Sequence, residues 1–208
     1  MVLLLLSISL LAADPPLPTL RVSMTSDGPV VWLKNIYSQP LSAFTIEAHS
    51  YDASGKSKTN VMAMDLIPVE LSGNSERRLT IPAASVGAVA ENGKITSAIY
   101  ADKTTAGEAD KIKILREAGG GRLSVVREIV ARIDAAIAAG KDKDWILADL
   151  KAWSDSLTTA PAAPPALDSR TKAGIRRQVP ISVKQIEARG VDAELANLKK
   201  IQSLLEQR

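Results

Sequence analysis

Between Leu20 and Asp102 apolar and polar residues alternate in short runs, broken by turn residues every 8 to 15 positions. That pattern predicts antiparallel strands packed as a two-sheet sandwich. Leu20, Val22 and Met24 alternate with Arg21, Ser23 and Thr25, and Asp27-Gly28-Pro29 turns the chain into a second strand over 30–37. Ser38-Gln39-Pro40 supplies the next turn. Phe44, Ile46 and Ala48 then share one face of a strand, and Thr45, Glu47 and His49 share the other, which is expected to face water. Asp52-Ala53-Ser54-Gly55 turns again, and further strands are expected over 60–67, 76–81 and 94–101. Six or seven strands over residues 18–102 would close an immunoglobulin-like sandwich with a core shared by both sheets.

Beyond residue 102 the period changes. Ile112, Leu115, Leu123, Val126, Val130, Ile133 and Ile137 follow helical steps, with Gly119 at the one skipped position. The phase survives Gly119-Gly120-Gly121, so one long helix from about Thr105 to Ala139 competes with a kink or break there. Each glycine costs about 1 kcal/mol relative to alanine. Gly140 suits a left-handed cap, and Asp142 or Asp144 suits the start of a second helix whose stripe is Ile146, Leu150, Trp153 and Leu157. Residues 103–157 are therefore expected to form an antiparallel helical hairpin.

Residues 158–180 read as a proline- and alanine-rich, then basic, linker, because the prolines in Thr158 to Ala166 disfavour helix. A short helix from Ser182 to Ala188 and a last helix capped by Asp192 follow within 181–208. Val191, Leu195, Leu198, Ile201 and Leu205 form one apolar stripe on that last helix. The stripe needs a partner, either the hairpin of the same chain or another protein chain, including a second copy. The fold class expected is α+β, with the strands first and the helices after them.

The first dozen residues are an almost unbroken apolar run that ends at Ala12-Ala13-Asp14-Pro15-Pro16. Residues 1–13 thus read as a secretory signal peptide, too short to span a bilayer. The expectation is an exported protein, periplasmic or extracellular, that does not span the membrane after cleavage. With no cysteine in the chain, its stability must come from the core alone. Charge is uneven: residues 1–102 hold 7 basic and 9 acidic side chains, and 103–208 hold 19 and 14, which favours two units. Only seven aromatics occur, so a stacking platform is not expected and nucleic acid is an unfavoured partner.

Val31-Trp32-Leu33-Lys34-Asn35, Ser38-Gln39-Pro40-Leu41 and Tyr51-Asp52-Ala53-Ser54-Gly55 together resemble secreted bacterial immunoglobulin-like modules of the FxLyD type and related envelope proteins. The resemblance covers residues 20–102, with Ala48 and Ser50 where the name-giving motif has Phe and Leu. It implies a sandwich without a defined active site, in an envelope compartment.

Candidate chemistry is sparse. His49 is the single imidazole, no Gly-x-Ser-x-Gly elbow is present, and the triple glycine lacks the Lys-Ser/Thr ending of a phosphate loop. No catalytic, cofactor or metal residues are assigned. Met62 and Met64, two apart on one strand face, suit Cu(I) in principle but suit a core strand better. The acidic pairs Glu47 with Asp52 and Asp65 with Glu70 have no spacing that selects them for glycoside hydrolysis. The basic residues Arg170, Lys172, Arg176 and Arg177, followed by Lys184 and Arg189, are a candidate surface for anionic envelope components. A non-enzymatic binding or structural module is the favoured reading. An envelope hydrolase or copper-handling protein with a site at the sandwich and helix junction is the alternative, and attachment to anionic surfaces a third.

Overall fold

Seven strands and five helices are found among the residues that the computed structural model describes, which are 14–51, 54–159 and 169–207. The expected signal peptide, Asp52 and Ala53 of the expected turn, and 160–168 of the expected linker lie outside the described residues. The architecture is α+β, strands first.

Strands β1 (Thr19–Thr25), β2 (Gly28–Lys34) and β5 (Glu76–Arg78) make one antiparallel sheet in the order β1-β2-β5. Strands β3 (Leu41–Tyr51), β4 (Ser57–Asp65), β6 (Lys94–Tyr100) and β7 (Thr105–Gly107) make the other, ordered β4-β3-β6-β7. The chain changes sheet between β2 and β3, returns at β5 and crosses again at β6, which is the strand order of immunoglobulin-type sandwiches. Val31 and Leu33 of the first sheet pack on Phe44, Ile46, Ala98 and Tyr100 of the second, so the alternating apolar residues do build a shared core. Across the first sheet the guanidinium of Arg21 spans the middle strand to Glu76, with Nε and Nη2 at 3.0 and 3.1 Å from its carboxylate oxygens, over the ring of Trp32.

Asn35, just after β2, is fully buried and ties the connection from β2 to β3 to residues 71 and 72. Its amide nitrogen donates to the carbonyls of Gln39, Leu71 and Ser72 at 2.8, 3.1 and 3.2 Å, and its oxygen accepts the Tyr37 N–H at 3.1 Å. A buried polar side chain of this kind persists because its hydrogen bonds replace the water it lost.

The sandwich differs from its expected outline in two places. The strand expected over 76–81 stops at Arg78, and helix α1 (Ala83–Asn92) follows, opened by Pro82 and rich in alanine. With Val89 its buried residue, α1 has little apolar periodicity to reveal it, whereas proline before an alanine-rich run favours a helix start. The expected boundary at 102 also moves, because β7 pairs with β6 and keeps residues 105–107 in the sheet.

Helix α2 (Ala109–Ala138) runs unbroken through Gly119-Gly120-Gly121 for 30 residues, about 45 Å at 1.5 Å per residue. Its first half lies on the outer face of the four-stranded sheet, and its second half enters a bundle with α3 (Lys143–Thr159), α4 (Ser169–Arg189) and α5 (Val191–Glu206). Gly140 takes φ +67° after α2, as a left-handed cap should, and Asp142 Oδ1 accepts the Trp145 N–H at 2.8 Å to cap α3. The hairpin is looser than expected: α2 packs on α4 and α5, while α3 packs on α4. Side chains still join α2 to α3, through Arg132 Nε and Nη2 at 2.6 and 2.7 Å from the Asp149 carboxylate, with the guanidinium beside Trp153.

The expected linker and short helix are corrected most. Residues 169–180 belong to α4, a single 21-residue helix that contains Pro180. Ile175, Val179, Val183 and Ile186 are buried along it, so tertiary burial outweighs the hydrogen bond that proline removes. Helix α5 starts at Val191 after Gly190, and Asp192 sits inside its first turn rather than capping it through a side-chain bond. Among the described residues no helix is long and apolar enough to cross a membrane.

Candidate functional site at the sandwich and helix junction

The outer face of the second sheet is polar in sequence, yet α2 covers it. Thr45, Thr96 and Ser97 are buried there, and Thr45 Oγ1 lies 2.8 Å from both Thr96 Oγ1 and Ser97 Oγ. Thr45 Oγ1 can thus donate to one of these hydroxyls and accept from the other. Beside them Glu47, with a side chain 11% exposed, is held by Lys94 Nζ at 3.1 Å from β6 and by Lys111 Nζ at 3.6 Å from α2. The Lys94 hydrogen bond outweighs burial and holds the Glu47 carboxyl below its usual value of 4.5. Burial alone would lower Lys111, but the hydrogen bond and charge of Asp110, with Glu47 and Glu108, carry it above 10.5. Each group is fixed in its charged form, the opposite of the poise near neutrality that acid or base catalysis needs. The expectation that Thr45, Glu47 and His49 face water is therefore corrected for Thr45 and Glu47. Solvation was replaced by a second layer that the periodicity of one strand does not reveal.

His49, at the open end of this face, has a side chain 42% exposed; its Nε2 is 3.8 Å from Glu47 Oε1 and its Nδ1 is 3.1 Å from Thr59 Oγ1. Asn92 clasps the adjacent backbone, accepting the His49 N–H at 2.7 Å and donating to its carbonyl at 3.0 Å. Met62 and Met64 pair in register with Ile46 and Phe44 and pack into the sandwich core, on the opposite face of the sheet from His49. The structure therefore does not bring these thioethers to the imidazole. Among the described residues no group of three His, Cys, Asp or Glu could hold a metal ion.

The acidic candidates among the described residues each have other partners. Asp65 meets Arg122 Nη1 at 3.2 Å and accepts the Ile67 N–H at 2.9 Å, while Glu70 bonds the Ser42 hydroxyl. Glu47 stays with its lysines, and Asp52 lies outside the described residues.

The basic candidates fall on different sides of α4. Arg170 is in its first turn, with its side chain outside the described set; Lys172 is half-buried; Arg176 and Arg177 are exposed. Arg177 and Lys184, seven apart, share the outward face, and Lys172 and Arg176, four apart, flank the buried stripe. From that exposed position Arg177 also lines, with Arg122, a cavity of about 440 Å³ between α2 and α4, where Gly121, Val125, Gly174 and Gln178 contribute walls. Nothing in a linear reading pairs these two arginines, which are 55 residues apart.

The apolar stripe of α5 is spent within the chain. Leu198, Ile201 and Leu205 are buried in the bundle core, and Val191 and Leu195 pack at its edge. Of the two partners expected for it, the helices of the same chain are the ones it meets.

Comparison with protein-family models, with curated proteins and with solved structures returns no match.

Proposed function

We propose that the protein is an exported, non-enzymatic binding or structural module of the bacterial envelope, in which an immunoglobulin-like sandwich and a helical bundle act as one body joined by α2. The observation that carries the non-enzymatic part is the junction, where Thr45 bonds the hydroxyls of Thr96 and Ser97 and Glu47 is paired with Lys94 and Lys111. Such a layer supports rigidity between two lobes rather than turnover. The apolar run of residues 1–13 supports export. Kinship with the FxLyD-type modules belongs to the same proposal and draws support from the strand order. With the α5 stripe internal, contact with a partner falls to the polar surfaces of α3 and α4 and to the sandwich. Anionic attachment gains from the exposed Arg176 and Arg177.

Expression of the full chain with a carboxy-terminal tag in a bacterium, followed by fractionation and mass measurement, tests export. A periplasmic product shortened by the leader is expected. A full-length cytosolic product would overturn the compartment, and hydrolase activity lost on Glu47→Gln would overturn the non-enzymatic reading.

A further inference from the structure

We propose that the cavity between α2 and α4 binds an amphipathic organic anion, with Arg122 and Arg177 holding an oxyanion head and the small-residue walls receiving a short apolar tail. The proposal is independent of export. The two helices touch at Gly174, where an added Cβ would lie 2.5 Å from Val125 Cγ2, and beside that contact the small residues Ala118 and Gly121 of α2 and Ala173 of α4 line the cavity. Gly121 sits in a helix interior, where glycine is disfavoured, and forms part of the cavity wall. About 440 Å³ lies within the range of about 300 to 1,000 Å³ usual for small-molecule sites.

Charge selects the kind of ligand. Arg122 uses Nη1 on Asp65, and the same carboxylate oxygen, Oδ1, also receives the Ile67 N–H. A guanidinium has five N–H donors, so most of those on Arg122 are left for another acceptor. Arg177 has no ion pair among the described residues. Of the two guanidinium groups at the cavity, Arg122 thus has one carboxylate partner among the described residues and Arg177 none. The acidic side chain nearest along α2, Glu117, is 4.0 Å from Lys113. Planar guanidinium forks favour carboxylate and phosphate oxygens, and the Gln178 amide adds a neutral donor. Val125 and Ala118 offer apolar contact, which a bare inorganic ion would not use.

Titration calorimetry of the full chain with decanoate, octyl phosphate, inorganic phosphate and octanol tests both halves of the proposal. Binding of decanoate, octyl phosphate or both is expected, and the pair tells a carboxylate from a phosphate head. Inorganic phosphate and octanol should each bind at least about tenfold more weakly, because each lacks one half of the recognition. Arg177→Gln, on an exposed residue whose loss leaves no carboxylate unpaired, should weaken the amphipaths by about tenfold or more, as expected for a charge-assisted hydrogen bond. Gly121→Leu should fill the cavity and abolish binding, with a helix-favouring side chain. The proposal is overturned if neither amphipath binds, if octanol or inorganic phosphate binds as well as they do, or if Arg177→Gln leaves affinity unchanged.

Discussion

Replacing Gly120 by alanine should make the protein more stable, and the size of the gain follows from the geometry of α2. Gly120 lies within an unbroken helix, its φ is not in the left-handed region, and a Cβ built on it meets nothing within 4 Å. The methyl group therefore adds no clash and loses no contact. What changes is backbone entropy and helix propensity, worth about 0.5 to 1 kcal/mol at such a site. For a protein of this size that raises Tm by about 2 to 4 °C per kcal/mol. Urea denaturation followed by circular dichroism, with a thermal melt alongside, measures it. Gly107→Ala is the opposite case in the same assay. Gly107 has φ +92°, its added Cβ would lie 2.2 Å from the Thr96 carbonyl oxygen, and that oxygen accepts the Glu108 N–H at 2.9 Å where the chain leaves β7 for α2. The left-handed backbone alone costs a non-glycine residue about 1 to 2 kcal/mol, and the clash adds to it. A lower midpoint for Gly120→Ala with helix content preserved would refute the reasoning, since it would mean that the triple glycine is needed as a break rather than tolerated within a continuous helix.

Other consequences can be measured on the same protein. Leu198→Ala, at a fully buried bundle position, should cost about 2 to 5 kcal/mol in urea while light scattering leaves the mass unchanged; a changed mass with unchanged stability would instead place the stripe against another chain. Asn35→Ala should cost about 1 to 3 kcal/mol, because it orphans the buried backbone groups that the amide serves; an unchanged midpoint would show that those groups find other partners. The folded-state value of Glu47 is lowered, so its contribution is fully present above the unfolded value near 4.5 and is lost as pH falls through the folded value. The stability gap between the native chain and Glu47→Gln should accordingly be widest at neutral pH and close on acidification below 4.5, and a gap independent of pH would count against the ion cluster.

The fold divides cleanly by the range of the interactions that specify it. Alternation in β1 to β4 and the helical steps of α2, α3 and α5 are local signals, written at periods of two and 3.6, and so was the order of sheets before helices. Gly140 and Asp142 were readable as a cap and a start because their chemistry acts within one turn. Met62 and Met64 were readable as core residues for the same reason, since their parity is shared with their strand. Helix α4 was not readable in this way. Its internal Pro180 argues locally against a continuous helix, and burial of Ile175, Val179, Val183 and Ile186 against α2, α3 and α5 reverses that balance. The same holds for Thr45 and Glu47. A strand pattern tells which residues share a face but not what later covers it, and it took α2 to turn a polar surface into a buried layer of paired groups. The placing of Arg122 and Arg177 at one cavity is likewise a product of packing, because that cavity exists only once α2 and α4 lie side by side.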